Sequence, residues 1–191
     1  RVPRVLFFPD QHLGRNTASR LGITPEQMAV WSPRYPPEAD AIRHAQVVLW
    51  PGACKVHQRF RPEHVKAIRQ RCPGMRIGVH PECRADVVAL ADDAGSTSQM
   101  LRWIAEAPAG AQWALGTENR LVQRLQHQHP EQTIRSLADV PPVCATMSQV
   151  TLQNLAETLD GLAHGRLINE VTVEPQIAHH ARIALERMLA V

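Results

Sequence analysis

Short apolar runs alternate along this chain with longer stretches whose apolar positions recur every three or four residues. The runs at 5–8 (VLFF), 46–50 (QVVLW), 75–79 (MRIGV), 112–115 (QWAL) and 133–137 (TIRSL) have the length and content of buried strands. The stretches between them carry helix start and stop signals. Asp10 is placed to cap a helix over 13–21. The Pro-rich connection SPRYPPEAD leads into a short helix near 37–45. Pro62 opens a helix that Pro73-Gly74 ends near residue 72. Residues 85–94 predict a helix closed by Gly95. GSTS opens another over 98–107, and GTEN opens one reaching residue 128. Toward the end, 148–163 predicts an amphipathic helix with Val150, Leu152, Leu155, Leu159 and Leu162 near one face. A short strand at 171–173 and a closing helix over 175–189 complete the pattern.

Short apolar strands alternating with helices define an α/β protein built from parallel βαβ units, with helices on both faces of each sheet. Such sheets bind ligands beyond the carboxyl ends of their strands. The segments expected there are PDQHLG, PGAC, HPEC and GTEN. All are polar motifs at strand ends, the arrangement expected of an active site.

Composition narrows this further. At 191 residues and 44% hydrophobic, the chain can bury a sizeable core, and with 4% aromatics that core is aliphatic. The net charge of +3 is spread along the chain rather than clustered. It therefore gives no support for nucleic-acid binding. No apolar run is long enough to span a membrane. Cys54, Cys72, Cys83 and Cys144 are scattered rather than framed as in disulfide miniproteins, so a reducing, cytoplasmic setting is expected. The chain opens on Arg1-Val2-Pro3-Arg4 with no initiator Met, immediately before a strand, and is expected to be a piece of something longer.

The motifs carry definable chemistry. WPGACKVH sets Cys54 just past a strand and His57 three residues on. Cys54 can be a core thiol, a nucleophile paired with His57, or a metal ligand; the absence of any CxxC argues only against a self-contained zinc site. Soft thiolates spaced as widely as Cys54 and Cys144 are compatible with an iron–sulfur cluster. In HPEC, Pro81 can turn the chain so that His80 and Glu82 reach one cavity, where either can move protons. Gly95-Ser96-Thr97 and Gly116-Thr117-Glu118 each open a helix, whose free N–H groups and dipole suit an anion. Simple N-capping explains the same residues. Cys72 reads as inert, and His127, His129, His179 and His180 as surface histidines.

FFPDQHLGRNTA, WPGACKVHQRF, VHPEC, GSTSQM, GTENRLVQRL and CATMSQVTLQNLAETL stand in the order seen in the quinolinate synthase (NadA) family, which this chain resembles from about Phe7 to its end. The resemblance implies NadA-like αβα domains with short parallel sheets around a pseudo-threefold axis. Residues 1–57 would be the C-terminal part of the second domain and 58–147 the third. Residues 148–191 would be a helix–strand–helix segment packing toward the first. It implies condensation of iminoaspartate with dihydroxyacetone phosphate to quinolinate, with L-aspartate oxidase as the pathway partner. It also implies a [4Fe–4S] cluster held by three cysteines, with one iron open as a Lewis acid.

Carried over by motif, Cys54 and Cys144 match two cluster ligands. His80 and Glu82 match substrate-contacting and acid–base residues. Ser96 and Thr97 match donors to a substrate carboxylate or phosphate, and His57, Thr117 and Glu118 line the same region. Cys83 is not a ligand position. The family's first ligand lies upstream of GAC and has no counterpart here, so an incomplete fragment is expected. Two rivals share part of the pattern. One is another three-cysteine iron–sulfur enzyme, such as a diphthamide-synthesis type, against which HPEC and GST argue. The other is a non-catalytic α/β remnant that binds an acidic metabolite or a partner.

Overall fold

Alternation along a strand decides which layer each side chain joins. The computed structural model describes residues 4–34 and 36–190. These divide into two units, 4–144 and 145–190. The opening residues 1–3 and Tyr35 of the Pro-rich connection lie outside the described residues. In the larger unit, β1 (Val5–Phe7), β2 (Met28–Val30) and β3 (Val47–Leu49) form a parallel sheet in the order β1-β3-β2. The register places Phe7, Leu49 and Val30 in one row and Leu6, Val48 and Ala29 in the next. The first row packs with Ala18 of α1 (Gln11–Arg20). Val48 and Ala29 pack with Ile42 of α2 (Ala39–His44) on the other side. Gly14 allows α1 its close approach, since a Cβ there would come within 2.6 Å of Leu49 and Phe7.

The same unit contains a second parallel sheet of β4 (Arg76–Val79), β5 (Asp93–Ala94), β6 (Gln112–Gly116) and β7 (Thr133–Ser136), ordered β5-β4-β6-β7. Ile77, Val79 and Ala114 face Val65 and Ile68 of α3 (Pro62–Arg71) and Val87 of α4 (Ala85–Val88). Trp113, Leu115 and Ile134 face Ile104 of α5 (Thr97–Glu106) and Val122 and Leu125 of α6 (Asn119–Gln128). Each sheet is thus the middle of three layers, as the sequence pattern predicts for α/β units. Because both sheets are parallel, their strand carboxyl ends carry the polar loops.

The smaller unit contains α7 (Leu152–Ala163) and α8 (Pro175–Leu189). The hydroxyl of Thr151 accepts the Asn154 N–H, and Glu174 accepts those of Gln176 and Ile177, so both helices are capped. Their apolar stripes are not covered. Leu152, Leu155, Leu159 and Leu162 of α7 and Ile177, Leu185, Met188 and Leu189 of α8 are all exposed.

Two local readings need correction, and one strand was not anticipated. Residues 171–173 form no strand; Val171 and Val173 are exposed and lack a sheet partner among the described residues. The helix expected over 85–94 stops at Val88, and Asp93–Ala94 is an edge strand instead. Its conformation is fixed from outside the segment: Asp92 accepts the Ile77 N–H and binds Arg69, while Asp93 binds Arg76. Met28–Val30 is a strand of only three residues, too short to show a period.

Ile77 is fully buried between β4 and α3. Ile77→Ala is expected to lower unfolding free energy by about 2–5 kcal/mol in urea titrations. Leu90→Ala, at an exposed position, should shift it by less than about 1 kcal/mol. Equal effects would contradict the assigned core.

Candidate functional site

Burying a polar side chain is costly unless its hydrogen bonds are restored. Among the described residues the buried polar and charged side chains are Asp10, Asn16, His57, Thr117, Glu118, Gln132 and Ser136. The first five belong to one bonded set at the carboxyl ends of the strands. Asp10 follows β1 and caps α1, its Oδ1 accepting the N–H groups of His12 and Leu13 at 2.8 Å. Its Oδ2 accepts the backbone N–H of Cys54, in the loop after β3, also at 2.8 Å. Gly52 permits that loop to lie against the one after β1, since a Cβ there would fall 2.0 Å from the Pro9 carbonyl oxygen. Glu118 repeats the arrangement after β6. Its Oε2 accepts the Arg120 N–H at 2.7 Å to cap α6, and its Oε1 accepts the backbone N–H of Cys144 at 3.2 Å.

Between these carboxylates stand two imidazoles. His57 lies in the 3-10 turn His57–Arg59 and is buried. Its Nδ1 is 2.9 Å from Glu82 Oε2 and its Nε2 is 3.4 Å from Thr117 Oγ1. Burial pushes its pKa down to about 4, against the opposing pull of Asp10 and Glu118. The ring is therefore neutral near pH 7. The contact with Glu82 is then an N–H donated to an acceptor oxygen, which leaves Nε2 free to accept from the Thr117 hydroxyl. His80 stacks on His57 with ring centroids 4.3 Å apart and planes 12° from parallel. Burial, and then the neighbouring His57, push its pKa down against Glu82 and Asp10. His80 Nδ1 accepts the Glu82 backbone N–H at 3.2 Å, so the neutral ring carries its proton on Nε2.

The HPEC turn is held from α1. Asn16 Nδ2 donates to the carbonyls of Pro81 and Cys83 at 2.7 and 2.8 Å. The sequence reading passed over Asn16, and it credited Asp10 only with capping. No period marked Asn16: two residues from both Gly14 and Ala18, it stands on the opposite side of α1 and is buried by the HPEC turn. Cys83 donates its thiol to the Gly116 carbonyl at 3.5 Å, and burial pushes its pKa up, which makes it an inert thiol.

Other expected residues stand as follows. Cys54, His57 and Glu82 present a sulfur, a nitrogen and an oxygen all within 4.8 Å of one another, a set that can hold a metal ion. Thr117 adjoins it through His57, and Glu118, the next residue, holds the Cys144 backbone. Cys144 is half-buried, and neither it nor Cys54 is in a disulfide. Ser96 and Thr97 open α5 at the same sheet edge, where the Gly95 N–H bonds the Val79 carbonyl beside His80. Ser96 forms a capping box with Gln99, and both Ser96 and Thr97 are exposed.

The fold and these groups define an α/β protein with a metal-competent thiol–imidazole–carboxylate cluster at the strand-end edge. A family model described as Quinolinate synthetase A protein (NadA) matches residues 1–190, and the chain belongs to that family. It is 50% identical to the quinolinate synthase of Rhodopirellula baltica, covering all of this chain and 50% of that protein. It is 48% identical to that of Anoxybacillus flavithermus, over 98% of this chain and 52% of the relative. It is 43% identical to that of Acidobacterium capsulatum, over the whole chain and 52% of the relative. The chain thus spans about half the length of the curated relatives it matches. No helix of the described residues is long and apolar enough to cross a membrane.

The depressed pKa of His57 has a consequence for stability. The unfolded chain binds a proton at an ordinary histidine pKa of 6.5, whereas the folded chain does so only near 4. The share of stability that His57 contributes must therefore fall as pH drops through 6.5 toward 4, by at most about 3 kcal/mol. Urea titrations of the metal-free protein between pH 7 and 4 should show this slope. His57→Gln should make it shallower, with His80 retaining part of it, and an unchanged slope in the variant would contradict a buried neutral imidazole at His57.

Proposed function

We propose that this chain forms the C-terminal portion of a quinolinate synthase. That enzyme condenses iminoaspartate with dihydroxyacetone phosphate to quinolinate, releasing phosphate and two waters, in the NAD-biosynthetic route of the cytoplasm. L-aspartate oxidase would supply the first substrate. The observation that carries this reading is the convergence of Cys54, His57 and Glu82 donor atoms at the same edge as the starts of α5 and α6. Family membership supports it.

The donor chemistry fits a [4Fe–4S] cluster. Cys54 and Cys144 stand in loops after parallel strands, outside any disulfide, each with its backbone N–H bonded to a buried carboxylate. They would supply two thiolates, and the third would come from outside this chain. The cluster's open iron would supply Lewis-acid chemistry.

The chain's own residues would do the rest. Glu82 would accept and return protons, held in place by the His57 N–H. Neutral His80, with its proton on Nε2, would donate a hydrogen bond to a substrate oxygen, and its stacking on His57 fixes its plane. The N–H groups at the start of α5, with Ser96 and Thr97, would receive a substrate carboxylate or phosphate. Thr117 and Glu118 would line the adjoining wall.

In this reading 1–57 completes a second αβα domain, 58–147 is a third, and 148–191 packs toward a first. The exposed stripes of α7 and α8 would be covered there.

Two measurements test the proposal. In the full-length protein, Glu82→Gln should lower kcat by about 10²–10⁴-fold while leaving the visible absorbance of the cluster intact. Near-native turnover of that variant would remove Glu82 from proton transfer. This chain by itself should bind substoichiometric iron and show no turnover. A full cluster with turnover from the chain alone would refute the fragment reading.

A further inference from the structure

The two cysteines assigned as ligands share more than their residue type. Cys54 lies in the loop after β3, and Asp10 caps the helix after β1, the strand paired with β3. Cys144 lies after β7, and Glu118 caps the helix after β6, the strand paired with β7. Three residues past each cysteine a 3-10 turn begins, His57–Arg59 and Met147–Gln149. Seven residues past each stands the N-cap of the next helix, Arg61 and Thr151. The same local course is thus used twice, each time with a carboxylate bonded to the cysteine backbone. Both carboxylates are buried, at 4% and 6% exposure, though capping a helix needs no burial.

We infer that Asp10 and Glu118 are positioning residues for the cluster. Each caps a helix with one oxygen and, with the other, fixes the backbone N–H of a ligand cysteine. This rests on the assignment of Cys54 and Cys144 made above. The physical reason is direct. A thiolate on a loop reaches a defined point only if its own Cα is fixed, and a hydrogen bond from a backbone N–H to an ionised carboxylate is among the stronger ways to fix it. The carboxylate is itself immobile, because its other oxygen is tied to a helix end. The rigid sheet edge is transmitted to each sulfur through one side chain.

Amide substitution separates the two duties. In Asp10→Asn or Glu118→Gln the remaining oxygen can still cap the helix, and asparagine caps as well as aspartate. The new NH2 then faces the cysteine N–H and cannot accept from it. In the full-length protein, both variants should melt close to the parent. They should lose iron to a chelator about 10–100-fold faster, the range typical of lost outer contacts to metal ligands. The electron paramagnetic resonance spectrum of the reduced cluster should also change. Asp10→Ser, which caps but is too short to reach Cys54, should behave like Asp10→Asn and serves if the amide variant fails to fold.

Cys54→Ala and Cys144→Ala are the controls. If they lose the cluster while both amide variants and Asp10→Ser keep parental iron release and spectra, the positioning role is wrong and the ligand assignment stands. If either alanine variant retains a full cluster, the ligand assignment itself fails.

Discussion

Removing a charged carboxylate from water is tolerated only when hydrogen bonds replace those it gives up, and this constraint organises the strand-end edge of the protein. Asp10 and Glu118 are buried where loops from neighbouring strands meet, and each is satisfied by main-chain N–H groups from two separate segments. Neither can be satisfied unless the helix start and the cysteine loop are both in place. The bonding that makes burial affordable also fixes where the loops lie. His57 joins the two halves, since its ring reaches Glu82 on one side and Thr117, next to Glu118, on the other. Asn16 extends the set to the HPEC turn from α1.

Much of the fold was legible because the sheets are parallel and buried on both faces, so their strands read as near-continuous apolar runs such as VVLW and MRIGV. Elements whose form is decided elsewhere in the molecule were not legible. Asp93–Ala94 is an edge strand because Asp92 accepts a hydrogen bond from β4 and Asp93 pairs with Arg76, while its local sequence favours continuing the helix. Residues 171–173 have strand-like composition, and with no strand beside them among the described residues they form none. On the site, Cys54, His57, Glu82 and Thr117 lie together at one edge, each in a motif that follows a strand. The hydrogen-bond directions were not readable, because the stacking of His57 on His80 and the double duty of Asp10 depend on contacts between segments 23 to 44 residues apart. Ser96 shows the opposite outcome, with the plain capping box present at the helix start.

The distribution of exposed apolar surface bears on what the chain needs around it. The aliphatic clusters on either face of the β4–β7 sheet are closed, with Ile77, Leu115 and Leu125 inaccessible or nearly so. The α7 and α8 stripes and the Val5 and Leu6 side chains of β1 are open. The chain also matches only about half the length of its relatives. The proposal that this chain is one portion of a quinolinate synthase accounts for both facts together.

The central claim is that Cys54 and Cys144, distant in the chain, converge on one iron-containing centre beside Glu82 and Thr97. Anomalous diffraction at the iron edge, from anaerobically grown crystals of the full-length protein, tests it most directly. A single iron feature bonded to both sulfurs is the result predicted. Iron bound to only one of them, or sulfurs opening onto unrelated surfaces, would contradict it.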